Sequence, residues 1–310
     1  MRVTANTFPD TLITQLSQLA TRQNALQNQA ATGQRVQLPE DDPTAMRRVL
    51  DLKTETAALS QYQSNIDTLK ESATAAYDVM KALKKISDRA GELATLADGT
   101  KSQADLDTFA TELNQLLEQG VQLVNSKYRG DYLFSGTLSN QTPFVATHTN
   151  SQISAVAYWG NADTTAVEIA ENTTLSVQIP GANNSGSGAR GLITDSRSGA
   201  DFFAHLITLR DHLQSGNTAA ITSTDTVNLA KDEDNFLYQF GTNGVVQARL
   251  SAASSIATNR IGSLGKLVSH EADADLAQTL VKLSETQNAY KAALQSGATI
   301  LNQSLLDYLR

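Results

Sequence analysis

Apolar residues recur at alternating spacings of three and four near both ends of the 310-residue chain. We call the two series the terminal seams: Leu12, Leu16, Leu19 and Leu26 at the start, and Leu276, Leu280, Leu283, Tyr290, Leu294 and Leu301 at the end. One glutamine interrupts each seam, Gln23 in the first and Gln287 in the second. This spacing places a narrow apolar stripe on one side of a helix, as in a coiled coil. Isolated helices of this kind are marginal in water. We therefore predict that the terminal helices pack on each other or on neighbouring copies, with residues 1–40 and 270–310 forming a coiled-coil assembly domain.

Start and stop signals predict further helices between the seams. Asp42 followed by Pro43 indicates an N-cap and a first helical position. Heptad spacing then continues to Asp98-Gly99, which predicts one helix of about 55 residues. A second helix is expected over 103–124, and helical patterns return near 199 and from about 225 to 307.

The pattern changes between about 138 and 198, where β-branched and aromatic residues alternate with polar ones. We expect a mainly α fold with a β-rich insert. In this interpretation residues 41–137 and 199–269 form an elongated antiparallel helical rod or bundle, with coiled-coil termini at one end and a small β domain, 138–198, at the other. The insert is expected to be dispensable for folding, because the two helical halves pair without it.

Composition narrows the classes of function. The absence of cysteine excludes disulfides, zinc–thiolate sites and thiol nucleophiles. A net charge of -8 argues against a nucleic-acid partner. No stretch approaches the roughly 20 apolar residues of a membrane span, and the N-terminus lacks the apolar segment of a cleaved secretory signal. We therefore expect neither nucleic-acid binding nor membrane insertion.

Three local patterns suggest chemistry, and each has a simpler interpretation. Gly186–Gly191 matches G-x-G-x-x-G, but no convincing helix follows it, which favours a flexible loop over a dinucleotide site. Residues 40–42 and the acidic stretch 270–275 contain possible metal ligands, yet both precede helices, where acids stabilise the positive helix end. We therefore predict no catalytic residue, cofactor or metal site. The chain is not expected to be an enzyme.

Two segments carry a family resemblance. Residues 27–43, with Thr32-Gly33-Gln34-Arg35-Val36 followed by Asp41-Asp42-Pro43, resemble the N-terminal signature of the flagellin superfamily. Residues 271–277 and the closing 304–309 are similar to the C-terminal end of that superfamily. The form Pro39-x-Asp41-Asp42-Pro43 and the stretch 132–137 resemble the hook–filament junction branch, the third hook-associated proteins.

The resemblance implies a structural protein that is exported unfolded and joins the flagellar hook to the filament. Its implied partners are the first hook-associated protein, flagellin, its own copies in a ring, the flagellar type III export apparatus and a cytoplasmic export chaperone. The implied location is extracellular, in the bacterial flagellum. Two alternatives remain open: filament flagellin itself, and a surface-binding or adhesin module in which Trp159 and Tyr158 of the insert stack on a sugar.

Overall fold

The computed structural model describes the backbone of residues 7–308 and the side chains of residues 10–299. Long helices dominate this part of the chain, and the predicted mainly α fold with a β-rich region is confirmed. The helices are α1 (Thr7–Thr32), α2 (Pro43–Leu96), α3 (Gln103–Val124), α4 (Phe202–Gln214), α5 (Thr218–Ala220), α6 (Thr226–Ala272) and α7 (Leu276–Tyr308), with a π-helical turn at Ile221–Asp225 before α6.

The strands form four small sheets within the described residues. Three are antiparallel hairpins, and in the fourth β8 pairs parallel to β7 and antiparallel to β9. The strands are β1 (Lys127–Tyr128), β2 (Asp131–Tyr132), β3 (Phe144–Thr149), β4 (Gln152–Tyr158), β5 (Val167–Ala170), β6 (Thr173–Leu175), β7 (Ala182–Asn183), β8 (Thr194–Asp195) and β9 (Ala200–Asp201).

Side-chain caps explain why the long helices begin where they do. Asp42 Oδ1 accepts hydrogen bonds from the backbone N–H groups of Thr44 (3.2 Å) and Ala45 (3.0 Å) at the start of α2. At α3, Ser102 and Asp105 form a reciprocal capping box. Asp275 Oδ1 accepts from Gln278 N at the start of α7, which breaks the predicted helical region 225–307 into two helices.

The chain forms two compact units. Unit 1 comprises residues 1–58 and 259–310, and unit 2 comprises residues 59–258. The three domains expected from the sequence have their boundaries elsewhere, at 40/41, 137/138, 198/199 and 269/270.

Unit 2 has a core to which both helices and strands contribute. Leu83 of α2, Leu113 of α3 and Leu206 of α4 are fully buried in it. Residues of the 138–198 segment are buried in the same cluster: Phe144, Ile153, Ile179, Leu192 and Ile193. The expectation that this segment is dispensable for folding does not agree with these contacts, because it supplies part of the core that the helices need.

One face of α6 carries buried polar side chains, which we call the polar ladder: Asp232, Asn235, Gln239 and Asn243. Their spacing of three and four residues keeps them on one side of the helix. They bind main-chain groups. Asn235 donates to the carbonyl oxygens of Gly191 and Leu192, both at 2.9 Å, and Gln239 donates to that of Arg190 at 2.9 Å. Asn235 and Gln239 therefore hold the loop before β8 against α6.

Candidate assembly surface

In unit 1, α1 packs antiparallel to α7. At one end, Ala274 N donates to Gly33 O at 2.8 Å. At the other end Gly297 faces Leu12, and a Cβ at position 297 would lie 2.5 Å from Leu12 Cδ2. The missing side chain at Gly297 therefore lets the two helices approach closely.

The seam of α1 faces α7. Leu26 is buried, and the other predicted positions, Leu12, Leu16, Leu19 and Gln23, are half-buried. The residues between them are mostly exposed. The pattern of three and four along α1 thus corresponds to one continuous contact face.

Helix α7 presents two neighbouring faces. The inner face consists of its buried and half-buried positions, Thr279, Leu283, Thr286, Gln287, Tyr290, Ala293 and Gly297. The outer leucine line consists of Leu276, Leu280 and Leu294, whose exposed fractions are 48%, 55% and 46%. Of the predicted C-terminal seam, the structure places Leu283 and Tyr290 on the inner face and the three other leucines on the outer line. Leu301 lies outside the described side chains.

The small residues of the inner face are what the sequence pattern missed. Threonines at 279 and 286 follow the same alternation of three and four as the leucines beside them. Thr286 can be buried because its Oγ1 donates to the carbonyl of Lys282 at 2.7 Å, so no polar group is left without a partner. A search for leucines alone selects the larger side chains. Packing against α1 instead favours the smaller ones, which allow close approach.

The turn after α1 is tied to the end of α6. Arg35 N donates to Ala272 O at 2.7 Å, and the Arg35 guanidinium donates to Glu271 O at 2.8 Å. The same guanidinium lies 3.4 Å from Asp42. The hydrogen bond from Ala45 N, together with Arg35, holds the pKa of Asp42 below its usual value. Asp42 thus caps α2 and also contacts the turn that joins α1 to it.

The acidic and glycine-rich patterns have structural roles. Asp41 Oδ2 accepts from the N–H groups of Gln37 and Leu38, both at 2.9 Å. In the glycine-rich loop, Asn183 Nδ2 donates to the carbonyls of Ser187 and Ala189, and the chain continues into β8. Among the side chains that the structure describes, residues 10–299, no group of three histidine or acidic side chains is arranged to hold a metal.

Charge is distributed unevenly between the units. Unit 1 contains 11 basic and 11 acidic residues, whereas unit 2 contains 13 basic and 21 acidic ones. The excess negative charge of the chain therefore belongs entirely to unit 2.

Among the helices described, none is long and apolar enough to cross a bilayer.

Comparison with known proteins identifies the first part of the chain. Residues 5–139 match the family described as the bacterial flagellin N-terminal helical region. The flagellar hook-associated protein 3 of Salmonella typhimurium is 31% identical over 121 residues, a stretch that spans 38% of this chain and 38% of that protein. The resemblance to the flagellin superfamily and its third hook-associated proteins is confirmed.

Solved structures share the fold. A flagellar hook-associated protein from Vibrio parahaemolyticus aligns with a TM-score of 0.64 at 21% identity, covering 75% of this chain and all of that one. FlgL from Xanthomonas campestris aligns with a TM-score of 0.53 at 16% identity, covering 68% of this chain and 99% of its own. At these identities the likeness establishes the arrangement of helices and strands.

Proposed function

We propose that this chain is a non-enzymatic structural component of the bacterial flagellum that joins the hook, through the first hook-associated protein, to the flagellin filament. The observation that carries the proposal is the outer leucine line of α7. It stays half-exposed after α1 has taken the inner face. Aligned leucines on one helix are the kind of surface that a neighbouring helix covers. The flagellin N-terminal region and the similarity to hook-associated protein 3 support the same role.

Assembly then follows in two steps. Pairing of α1 with α7 builds unit 1 within one chain. The outer leucine line next packs against copies of the chain in a ring, and against the first hook-associated protein and flagellin. Because the charges of unit 1 balance, copies can approach through this unit without net repulsion, while the acidic unit 2 favours solubility. The chain reaches the outside through the flagellar type III export apparatus, with a cytoplasmic chaperone holding it before export.

The test compares two leucines on one helix. Leu280→Asp places a charge on the outer line, where a monomer leaves it in water but a neighbour would bury it. Leu283→Asp places the same charge on the inner face. Ala292→Asp is the matched control, because Ala292 is exposed and belongs to neither face. Each variant replaces the wild-type gene, and we measure secreted protein, thermal unfolding of the purified chain, swimming and flagellin released into the medium.

We expect the Leu280→Asp chain to be secreted and to unfold like wild type, yet to release flagellin and abolish swimming. Leu283→Asp should also lower the unfolding temperature, and Ala292→Asp should behave like wild type. Normal swimming of Leu280→Asp cells would refute the proposed surface. Copy number separates the junction role from filament flagellin, since a junction needs only a ring of subunits per flagellum.

A further inference from the structure

A cavity of about 440 Å³ opens in unit 2 between the β3–β4 hairpin, the loop after β7 and the start of α4. Its floor consists of the buried side chains of Phe144, Ile193 and Phe203, and Tyr158 forms one wall. Small-molecule sites in proteins begin at volumes of roughly 300 Å³ and combine an apolar surface with a few polar groups. The cavity has the volume of such a site, and most of its exposed lining is polar.

Most polar groups around the cavity already have partners. The Tyr158 hydroxyl lies 2.9 Å from the carbonyl oxygens of Phe134 and Asn161 and accepts from Gly181 N. Burial raises the pKa of Tyr158 to about 12, so this hydroxyl stays neutral. The Asn161 side chain is bound to Thr137 through both its oxygen and its nitrogen. These groups build the wall and are not available to a ligand.

Two lining side chains keep hydrogen-bonding capacity. Asn184 is exposed at the rim, and its amide makes no hydrogen bond in the structure. Asp201 uses Oδ1 to accept from Thr194 Oγ1 at 3.3 Å, which leaves Oδ2 open. An amide that both donates and accepts therefore lies on the same cavity as a carboxylate oxygen that only accepts.

The charges around the cavity limit the ligand. No lysine or arginine is among the side chains that line it, so it offers no partner for a phosphate or carboxylate. Vicinal hydroxyl groups match an amide and a carboxylate oxygen, because each hydroxyl can donate to one and accept from the other. The C–H face of a sugar ring is apolar and suits aromatic walls. We propose that this cavity binds a neutral carbohydrate of one or two hexose units.

The experiment uses the full-length chain and free sugars. Saturation-transfer NMR and calorimetric titration are carried out with glucose, galactose, N-acetylglucosamine, maltose and lactose. We expect at least one sugar to bind. Asn184→Ala and Asp201→Asn should each weaken its affinity by roughly five- to tenfold, the loss of one hydrogen bond. Ala162→Leu, which fills the cavity from its lining, should weaken binding more strongly.

Asn140→Ala is the matched control, because Asn140 is an exposed asparagine of the same unit that does not line the cavity. Thermal unfolding shows that each variant is folded. If no sugar of the panel binds, or if binding survives all three cavity variants unchanged, the proposal is wrong. The site is independent of the assembly surface, so these variants should swim normally whichever way the binding result falls.

Discussion

Replacing Ile153 by alanine removes most of a side chain that is completely buried on β4. The residue belongs to the segment that the sequence pattern sets apart as an insert, yet it lies in the core cluster of unit 2. Its main chain is also tied to two helices. The N–H donates to Asn114 Oδ1 of α3 at 3.3 Å, and the carbonyl accepts from the buried Arg210 of α4 at 2.5 Å. Unfolding this strand therefore removes partners from both helices.

The expected magnitude follows from the volume removed. Truncating a fully buried isoleucine to alanine costs about 2–5 kcal/mol, because transfer energy is lost and the cavity collapses only in part. We expect the free energy of unfolding to fall by about 3 kcal/mol. Val145→Ala on the paired strand β3 is the control. Val145 is 41% exposed, so its truncation should change the free energy by less than about 1 kcal/mol.

Urea unfolding of the purified chain, followed by far-ultraviolet circular dichroism, measures both changes. The helices supply most of that signal, so the assay reports whether a strand mutation destabilises the helical core. Two results would contradict the reasoning. One is a helical transition that moves by less than about 1 kcal/mol, and the other is an early, separate loss of strand signal.

Two further perturbations test the helix cap and a buried carboxyl. Asp42→Ala removes the acceptor for two N–H groups at the start of α2 and should lower the unfolding temperature of the chain. Asp42→Asn should retain most of the cap, because asparagine also accepts these hydrogen bonds. Equal unfolding temperatures for the two variants would argue against capping. Burial raises the pKa of Asp232 above 3.8 despite its 2.8 Å contact with His205. The folded chain therefore holds the carboxyl proton of Asp232 more tightly than the unfolded chain does. The stability that this group contributes is complete below about pH 3.8 and is lost as the pH rises through the pKa of Asp232 in the folded chain. Asp232→Asn should reduce that decline in unfolding free energy above pH 3.8, and parallel pH curves for the two proteins would contradict this reasoning.

The helices could be predicted because their determinants are local. Asp42-Pro43 marks the start of α2, and the capping residues at 102 and 105 mark that of α3. Helix α6 continues through the glycines at 241, 244, 262 and 265. Asp275 was correctly placed before a helix, although the break that it creates between α6 and α7 was not foreseen.

The strand pairings and the choice between the two faces of α7 could not be predicted in this way. Short strands such as β7 and β8 are defined by their pairing with each other, and a two-residue strand has no periodicity of its own. On α7, threonines and leucines repeat with the same alternation. Only the presence of α1 decides that Thr279 and Thr286 are buried while Leu280 stays half-exposed.

The polar ladder of α6 has a consequence for how the facing loop can vary. Asn235 and Gln239 donate hydrogen bonds to the carbonyl oxygens of residues 190–192. Every residue type has this main-chain carbonyl, whatever its side chain. These hydrogen bonds therefore do not depend on which side chains most residues of the loop carry. Gly191 is restricted, because a Cβ there would overlap Thr194 O and Asn183 N. Gly186 and Gly188 are also restricted, because their φ angles of 73° and 74° favour glycine. The exposed residues 184, 185 and 187 could therefore be exchanged for others while α6 keeps the path of the chain into β8 fixed, so this loop can present new surface chemistry on an unchanged scaffold.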